Sequence, residues 1–203
     1  MSNYKTVFFI LGVLQIILGL SMIVPIMAQF YYNQVDSGFI GSGLVSIIFG
    51  VLFFLSNLDY EKKLTLPQAF LLTALSWLSI AIFGSLPFVF SDLSLSFTNA
   101  FFESMSGITT TGSTILTNLN ETPKAILLWR AMLQWLGGIG IIVMAITLMP
   151  IMNIGGMQLF VISNTHTPEK ILPKSKEISI RLIAIYSSFC LLYTSPSPRD
   201  PRE

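Results

Sequence analysis

The chain has 203 residues, of which 53% are apolar and only 10% are charged, whereas an ordinary soluble domain carries about 25% charged residues. So few charges could not cover a soluble core, and the composition therefore indicates an integral membrane protein. The net charge of +1 implies no nucleic-acid partner. The single cysteine, Cys190, excludes an internal disulfide and a cysteine-built metal site. The lone His166 lies in a polar loop, so a histidine metal site or a catalytic triad is equally unsupported.

A helix needs about 20 apolar residues to cross the hydrocarbon core of a membrane, and four stretches reach that length. They are Val7–Met27, Gly38–Leu55, Ala69–Phe90 and Ala131–Ile151. The first is not predicted to be a secretory signal, because its charge-free run from Thr6 to Phe30 exceeds the usual apolar region of about 7–15 residues and no Ala-x-Ala-like site follows. We expect it to be a retained helix.

The basic residues predict the orientation of these spans. If the N-terminus is cytoplasmic, only Lys124 and Arg130 fall outside, which agrees with the positive-inside rule. The residues that then fall inside are Lys5, Lys62, Lys63, Lys170, Lys174, Lys176 and Arg181. We therefore predict a multi-pass protein of the cell (inner) membrane with its N-terminus in the cytoplasm.

Glycines recur along the predicted spans, and in lipid small residues let helix backbones approach closely. These glycines are Gly12, Gly19, Gly41, Gly43, Gly50, Gly137, Gly138 and Gly140. Tight helix packing is the ordinary explanation for all of them. A gating hinge at Gly137 and Gly138 is the alternative for that pair.

The candidate chemistry lies between the third and fourth spans, in residues 91–124. Phe97–Ser106 has apolar residues at helical spacing, but ten helical residues rise only about 15 Å against a hydrocarbon thickness of about 30 Å. Such a helix enters the membrane without crossing it. Three threonines bracketed by Gly107 and Gly112 follow, and because threonine and glycine are poor helix formers, the chain is expected to become extended there.

A half-helix followed by an extended Thr/Gly segment is how potassium channels build a selectivity filter, in which carbonyl oxygens replace the ion's hydration shell. The negative end of the half-helix dipole would favour cations at that point. An ordinary outer loop is the alternative interpretation. The spans contain almost no titratable groups that could converge on a substrate, so we predict no enzymatic activity, no catalytic residues and no cofactor.

Two segments resemble the Trk family of potassium uptake transporters. Phe101–Thr114, with the sequence FFESMSGITTTGST, resembles the first pore loop of that family, and Trp129–Ile141, with the sequence WRAMLQWLGGIGI, resembles the helix that follows it. The resemblance implies an all-α integral membrane fold: a leading helix pair in residues 1–60, one membrane–pore–membrane repeat with a re-entrant half-helix and filter loop in residues 61–152, and the start of a further helix. It also implies potassium uptake by a four-repeat transporter, a homodimer, and a cytoplasmic regulatory subunit that binds nucleotides.

The resemblance assigns the filter positions, and potassium is then the transported substrate. The implied ion-binding residues are Thr109, Thr110, Thr111, Gly112 and Ser113. In related plant transporters a serine in place of the glycine accompanies sodium preference, so Gly112 indicates potassium. Glu103, the acid of the half-helix, has two possible roles: hydrogen bonding behind the filter, or a field that attracts cations. Arg130 is predicted to extend to the outer interface.

The rest of the chain is predicted to be a cytoplasmic loop in residues 153–177, an incomplete helix in residues 178–193, and a tail in residues 194–203 that is not part of the fold. The string Cys190–Asp200 resembles one translated frame of a sequencing-library adapter. Other functions stay open at this point. They are a short cation-channel subunit that tetramerises and a non-conducting membrane assembly subunit. A membrane-embedded enzyme is a further alternative, and the scarcity of titratable groups in the spans argues against it.

Overall fold

The computed structural model describes residues 4–33, 36–60, 65–93, 95–117, 122–151 and 171–194. All regular secondary structure in these residues is helical, as predicted. The helices are α1 (Lys5–Ser21), α2 (Ile23–Tyr31), α3 (Gly38–Ser56), α4 (Leu66–Phe90), α5 (Phe97–Ile108), α6 (Lys124–Ile151) and α7 (Ile171–Thr194). Residues 1–137 and 138–203 form two compact units.

Four helical segments of the described residues are long and apolar enough to cross a membrane, and they coincide with the four predicted spans. Their bounds are Lys5–Tyr31, Gly38–Ser56, Pro67–Phe90 and Lys124–Met144. The first span was predicted as one helix but is divided into α1 and α2 at Met22. Pro25 explains the division, because it has no N–H to bond the carbonyl of Ser21 and is tolerated in the first turn of a new helix.

Helices α1 and α3 pack closely along a seam of small residues. A β-carbon added at Gly12 would lie 2.8 Å from the carbonyl oxygen of Gly50, and one at Gly19 would lie 3.0 Å from that of Gly43. Close packing therefore explains these glycines, as expected for helices that associate in lipid. It does not explain Gly41, where an added β-carbon would meet no described atom within 4 Å.

The apolar core of the first unit lies where its helices meet around Trp129. The indole of Trp129 is fully buried, and its Nε1–H donates to the carbonyl oxygen of Gly84 at 2.9 Å. Phe39 of α3 contacts the indole edge-on, with ring centroids 6.3 Å apart. The core also contains Leu18, Met22, Phe88, Ala100, Ala125, Ile126 and Leu133. This core brings α4, α5 and α6 together.

Two helices begin earlier than predicted. Helix α6 begins at Lys124 rather than Ala131, because the carbonyl of Pro123 accepts from the N–H groups of Ile126 and Leu127 and so starts the helix. Helix α7 begins at Ile171 rather than near residue 178. Residues 152–170 of the predicted cytoplasmic loop, and residues 195–203 of the predicted tail, lie outside the described residues.

Candidate functional site

Helix α5 is a half-length helix, as the sequence predicted. Its 12 residues rise about 18 Å, against a hydrocarbon core of about 30 Å. Ser96 caps its N-terminus by accepting from the N–H of Asn99 at 3.4 Å. One face of the helix is buried against its neighbours. On this face Ser104 packs closely against α4, because its Oγ would lie 2.8 Å from a β-carbon added at Gly84.

The C-terminus of α5 lies further along the chain than predicted. The sequence suggested that the helix ends before Gly107, but that glycine is helical and buried. Its lack of a side chain serves packing, because an added β-carbon would lie 3.1 Å from Leu133 Cβ of α6. The helix ends at Ile108 instead.

A Schellman motif ends the helix. The N–H of Thr111 donates to the carbonyl of Ser106 at 3.1 Å, and the N–H of Thr110 donates to that of Gly107 at 2.9 Å. In this motif the residue after the cap adopts a left-handed conformation and is usually glycine. Here it is Thr110, with φ of +57°. A β-branched residue in this region is a backbone outlier.

After the motif the chain continues without regular secondary structure through Leu116. Gly112 has φ of +79°, and an added β-carbon there would meet only Gln134 Nε2, at 3.7 Å. The glycine is therefore required by the backbone angle and not by lack of space. Ser113 is tied back to the half-helix, because its carbonyl accepts from Ser106 Oγ at 2.6 Å. Residues 110–114 are exposed.

Two charged side chains meet behind this segment. Glu103 is fully buried, and its Oε1 lies 2.5 Å from Arg130 Nε. This contact is an ion pair and not a well-aligned hydrogen bond, because neither atom has a hydrogen-bond partner of good geometry. Glu103 Oε2 accepts from the N–H of Ile115 at 3.0 Å. Of its two predicted roles, Glu103 therefore occupies the hydrogen-bonding position behind the segment.

Arg130 lies against the segment as well. Its Nη2 donates to the carbonyl oxygen of Gly112 at 2.9 Å and to that of Ser113 at 3.4 Å. Only 16% of its side chain is exposed. Arg130 was predicted to extend to the outer interface, but its guanidinium is instead paired with the buried carboxylate of Glu103 and bonded to the carbonyls of the segment.

The backbone oxygens of the segment fall into two groups. Those of Gly112 and Ser113 accept hydrogen bonds from Arg130 and Ser106. No described residue donates to the carbonyl oxygens of Thr109, Thr110 or Thr111. The arrangement thus leaves three consecutive carbonyl groups at the end of a half-helix without protein donors among the described residues.

Four span-length helices, with a half-length helix and an exposed Thr/Gly segment between the third and the fourth, define a membrane protein of the pore-loop class. Residues 5–194 match the family model TrkH, whose description is "Cation transport protein". The chain belongs to this family, which confirms the resemblance found in its sequence.

Similar proteins support the same assignment. The chain is 38% identical over 184 residues to the Trk system potassium uptake protein TrkI of Halomonas elongata, and the aligned region covers 90% of this chain and 37% of that protein. It is 39% identical over 160 residues to the Trk system potassium uptake protein TrkH of Escherichia coli K12, which covers 78% and 33%. The crystal structure of the potassium transporter TrkH from Vibrio parahaemolyticus superposes with a TM-score of 0.79 at 33% identity, covering 92% of this chain and 37% of that one. The chain thus spans little more than a third of the length of these relatives.

The pairing of Glu103 with Arg130 was not predicted from the sequence. A usable signal was present, since each is a charged residue in a predominantly apolar helix and together they flank one loop. A charge at membrane depth requires a partner. A search for a partner of Glu103 among the residues that follow the loop would have identified two basic candidates, Lys124 and Arg130.

Proposed function

We propose that this chain provides one repeat of a potassium uptake path, with Thr109–Ser113 as its share of the selectivity filter. The observation that carries the proposal is the row of three threonine carbonyls without described donors at the C-terminus of the half-helix. A dehydrated potassium ion needs oxygen atoms that replace its water. Within the segment, the carbonyls of Thr109 to Thr111 coordinate the ion, whereas Gly112 and Ser113 hold the backbone in shape.

The electrostatics of α5 support a cation at this position. The C-terminus of an α-helix carries the equivalent of roughly half a negative charge. The peptide groups of the last turn point their carbonyl ends toward the segment that follows Ile108. This field favours cations over anions and requires no charged side chain on the path.

One segment forms only part of a ring of ligands. The exposure of residues 110–114 supports a path that is completed by other segments. We propose that a four-repeat protein supplies them, in which residues 1–60 are the leading pair and residues 61–152 the first repeat. The count of basic residues supports a cytoplasmic N-terminus in the cell (inner) membrane. The family resemblance supports a homodimer that binds a cytoplasmic, nucleotide-binding regulatory subunit.

A chimera tests this function. Residues 5–151 replace the matching segment of the Escherichia coli relative, and radioactive rubidium uptake is measured in cells that lack their own potassium uptake systems. We expect uptake that potassium inhibits more strongly than sodium. A chimera that reaches the membrane in the parental amount but takes up no rubidium refutes the proposal. Rubidium flux into liposomes that contain the 203-residue chain alone would instead support the tetrameric channel.

A further inference from the structure

The ion pair behind the filter segment connects three parts of the chain. Glu103 belongs to the half-helix, Arg130 to α6, and both are bonded to the segment between these helices through the N–H of Ile115 and the carbonyls of Gly112 and Ser113. A fully buried carboxylate is maintained only when it is paired and hydrogen-bonded. Here both carboxylate oxygens have partners, one ionic and one a backbone N–H.

The charge of Arg130 presents a problem for a cation path. Its guanidinium lies 2.9 Å from the carbonyl oxygen of Gly112, which directly follows the three carbonyls that have no described donor. An uncompensated positive charge at this position would repel a cation, and in a partly dry environment that repulsion is strong. Glu103 lies in contact with the guanidinium and therefore cancels this field.

We propose that Glu103 and Arg130 are a pair of positioning residues with separate tasks. Arg130 donates hydrogen bonds to the carbonyl oxygens of Gly112 and Ser113 and so leaves those of Thr109–Thr111 to face the ion. Glu103 neutralises Arg130, so that the arginine can act beside a cation path without repelling the cation. This inference rests on the proposed function, and it assigns the pair to ion affinity and selectivity in addition to stability.

The two tasks predict different defects in the chimera. Glu103→Gln leaves the arginine charge uncompensated, so the KM for rubidium should rise by about tenfold or more. Arg130→Lys keeps the charge but loses the planar guanidinium, whose Nη2 reaches both carbonyls while its Nε faces Glu103. The KM should therefore stay near the parental value while the preference for potassium over sodium falls by about tenfold. The double variant Glu103→Gln/Arg130→Gln removes both charges, and its KM should return toward the parental value while its selectivity stays impaired.

Lys124→Gln is the matched control, because it removes a basic residue from the start of the same helix, and we expect it to leave both quantities unchanged. The proposal is overturned if the double variant has the same raised KM as Glu103→Gln, since charge would then not be the cause. An unchanged preference for potassium in Arg130→Lys also overturns it, and this holds even if Glu103→Gln fails to accumulate. If the unsubstituted chimera shows no uptake, the proposed function fails; if it transports and these variants match it, only this inference fails.

Discussion

Gly112 is the residue at which backbone geometry and proposed selectivity coincide. Its φ of +79° is unfavourable for any residue with a β-carbon, at a cost of about 1–2 kcal/mol. Space does not restrict the position, because the nearest described atom would lie 3.7 Å from an added β-carbon. A substitution there should therefore change the backbone and the carbonyls rather than cause a collision.

We expect Gly112→Ser to weaken the preference for potassium over sodium in the chimera. The serine shifts the backbone toward negative φ and turns the adjacent carbonyls. Inhibition of rubidium uptake by sodium measures the effect, with Gly41→Ser as the control at a glycine that has no described neighbour within 4 Å. Equal sodium inhibition in the Gly112 variant and the control would contradict the assignment of Gly112 to the filter.

Thr110 allows a test of backbone strain. Its left-handed conformation costs of order 1–3 kcal/mol, and glycine would remove most of that strain at an entropic cost of roughly 0.5–1 kcal/mol. Thr110→Gly should therefore raise the free energy of unfolding of the purified chain by about 1 kcal/mol, as measured by thermal unfolding in detergent. Thr111→Gly, at a residue without positive φ, should lower it. If both substitutions destabilise the chain equally, Thr110 is not strained.

At the scale of residues, the sequence predicted which residues form the candidate site better than it predicted their backbone conformations and contacts. The Thr/Gly run and the isolated Glu103 indicated the site, because non-helical backbone and charged side chains are rare at membrane depth. The left-handed residue could not be located, since glycine is the usual choice and the motif uses Thr110 instead. The contacts of Arg130 with Glu103 and the segment were not predicted, because a long cationic side chain near the end of a span usually extends to the interface.

The contact between α5 and α6 depends on a glycine of α6 that faces the C-terminus of the half-helix. A β-carbon at Gly137 would overlap the carbonyl oxygen of Ile108. Close packing therefore explains Gly137, one of the two glycines for which a hinge was the alternative. Gly138 is also closely packed within its own unit, where an added β-carbon would overlap the hydroxyl of Tyr186.

We expect Gly137→Ala to push α6 away from the last turn of α5 and to displace Thr109–Ser113, the proposed filter segment. Overpacking of this kind costs about 1–3 kcal/mol, so the chimera should transport more slowly and the purified chain should unfold at a lower temperature. Gly41→Ala adds the same methyl group where no described neighbour lies within 4 Å. A Gly137→Ala variant that matches this control in stability and transport would show that the close approach is not required.

At the scale of elements, the lengths of the apolar stretches correctly predicted which segments form membrane-spanning helices. Helices α3 and α4 follow charge-free, predominantly apolar runs, and their predicted bounds were accurate to a few residues. The division of the first span and the early start of α6 were missed. Hydropathy does not register the missing N–H of Pro25. The charges of Lys124 and Arg130 lower the mean hydropathy of about the first two turns of α6, although these turns are helical.

For the whole molecule, the charge distribution predicts the side on which each connection lies. Cysteines placed at Asn33, between α2 and α3, and at Asn57, after α3, should differ in access in a Cys190→Ser background. We expect an impermeant thiol reagent applied to intact cells to label Asn33→Cys only, because the positive-inside rule places the first connection outside. Labelling of Asn57→Cys alone would reverse the orientation and place the filter segment on the cytoplasmic side.

The central claim is that the carbonyl oxygens of Thr109, Thr110 and Thr111 bind the transported cation. The most direct measurement is a crystal structure of the chimera soaked with rubidium, with the ion located by its anomalous scattering. The proposed function predicts rubidium density in contact with these three carbonyl oxygens and none on Glu103. Density only at other groups, or none along Thr109–Ser113 in a protein that transports rubidium, would contradict the claim.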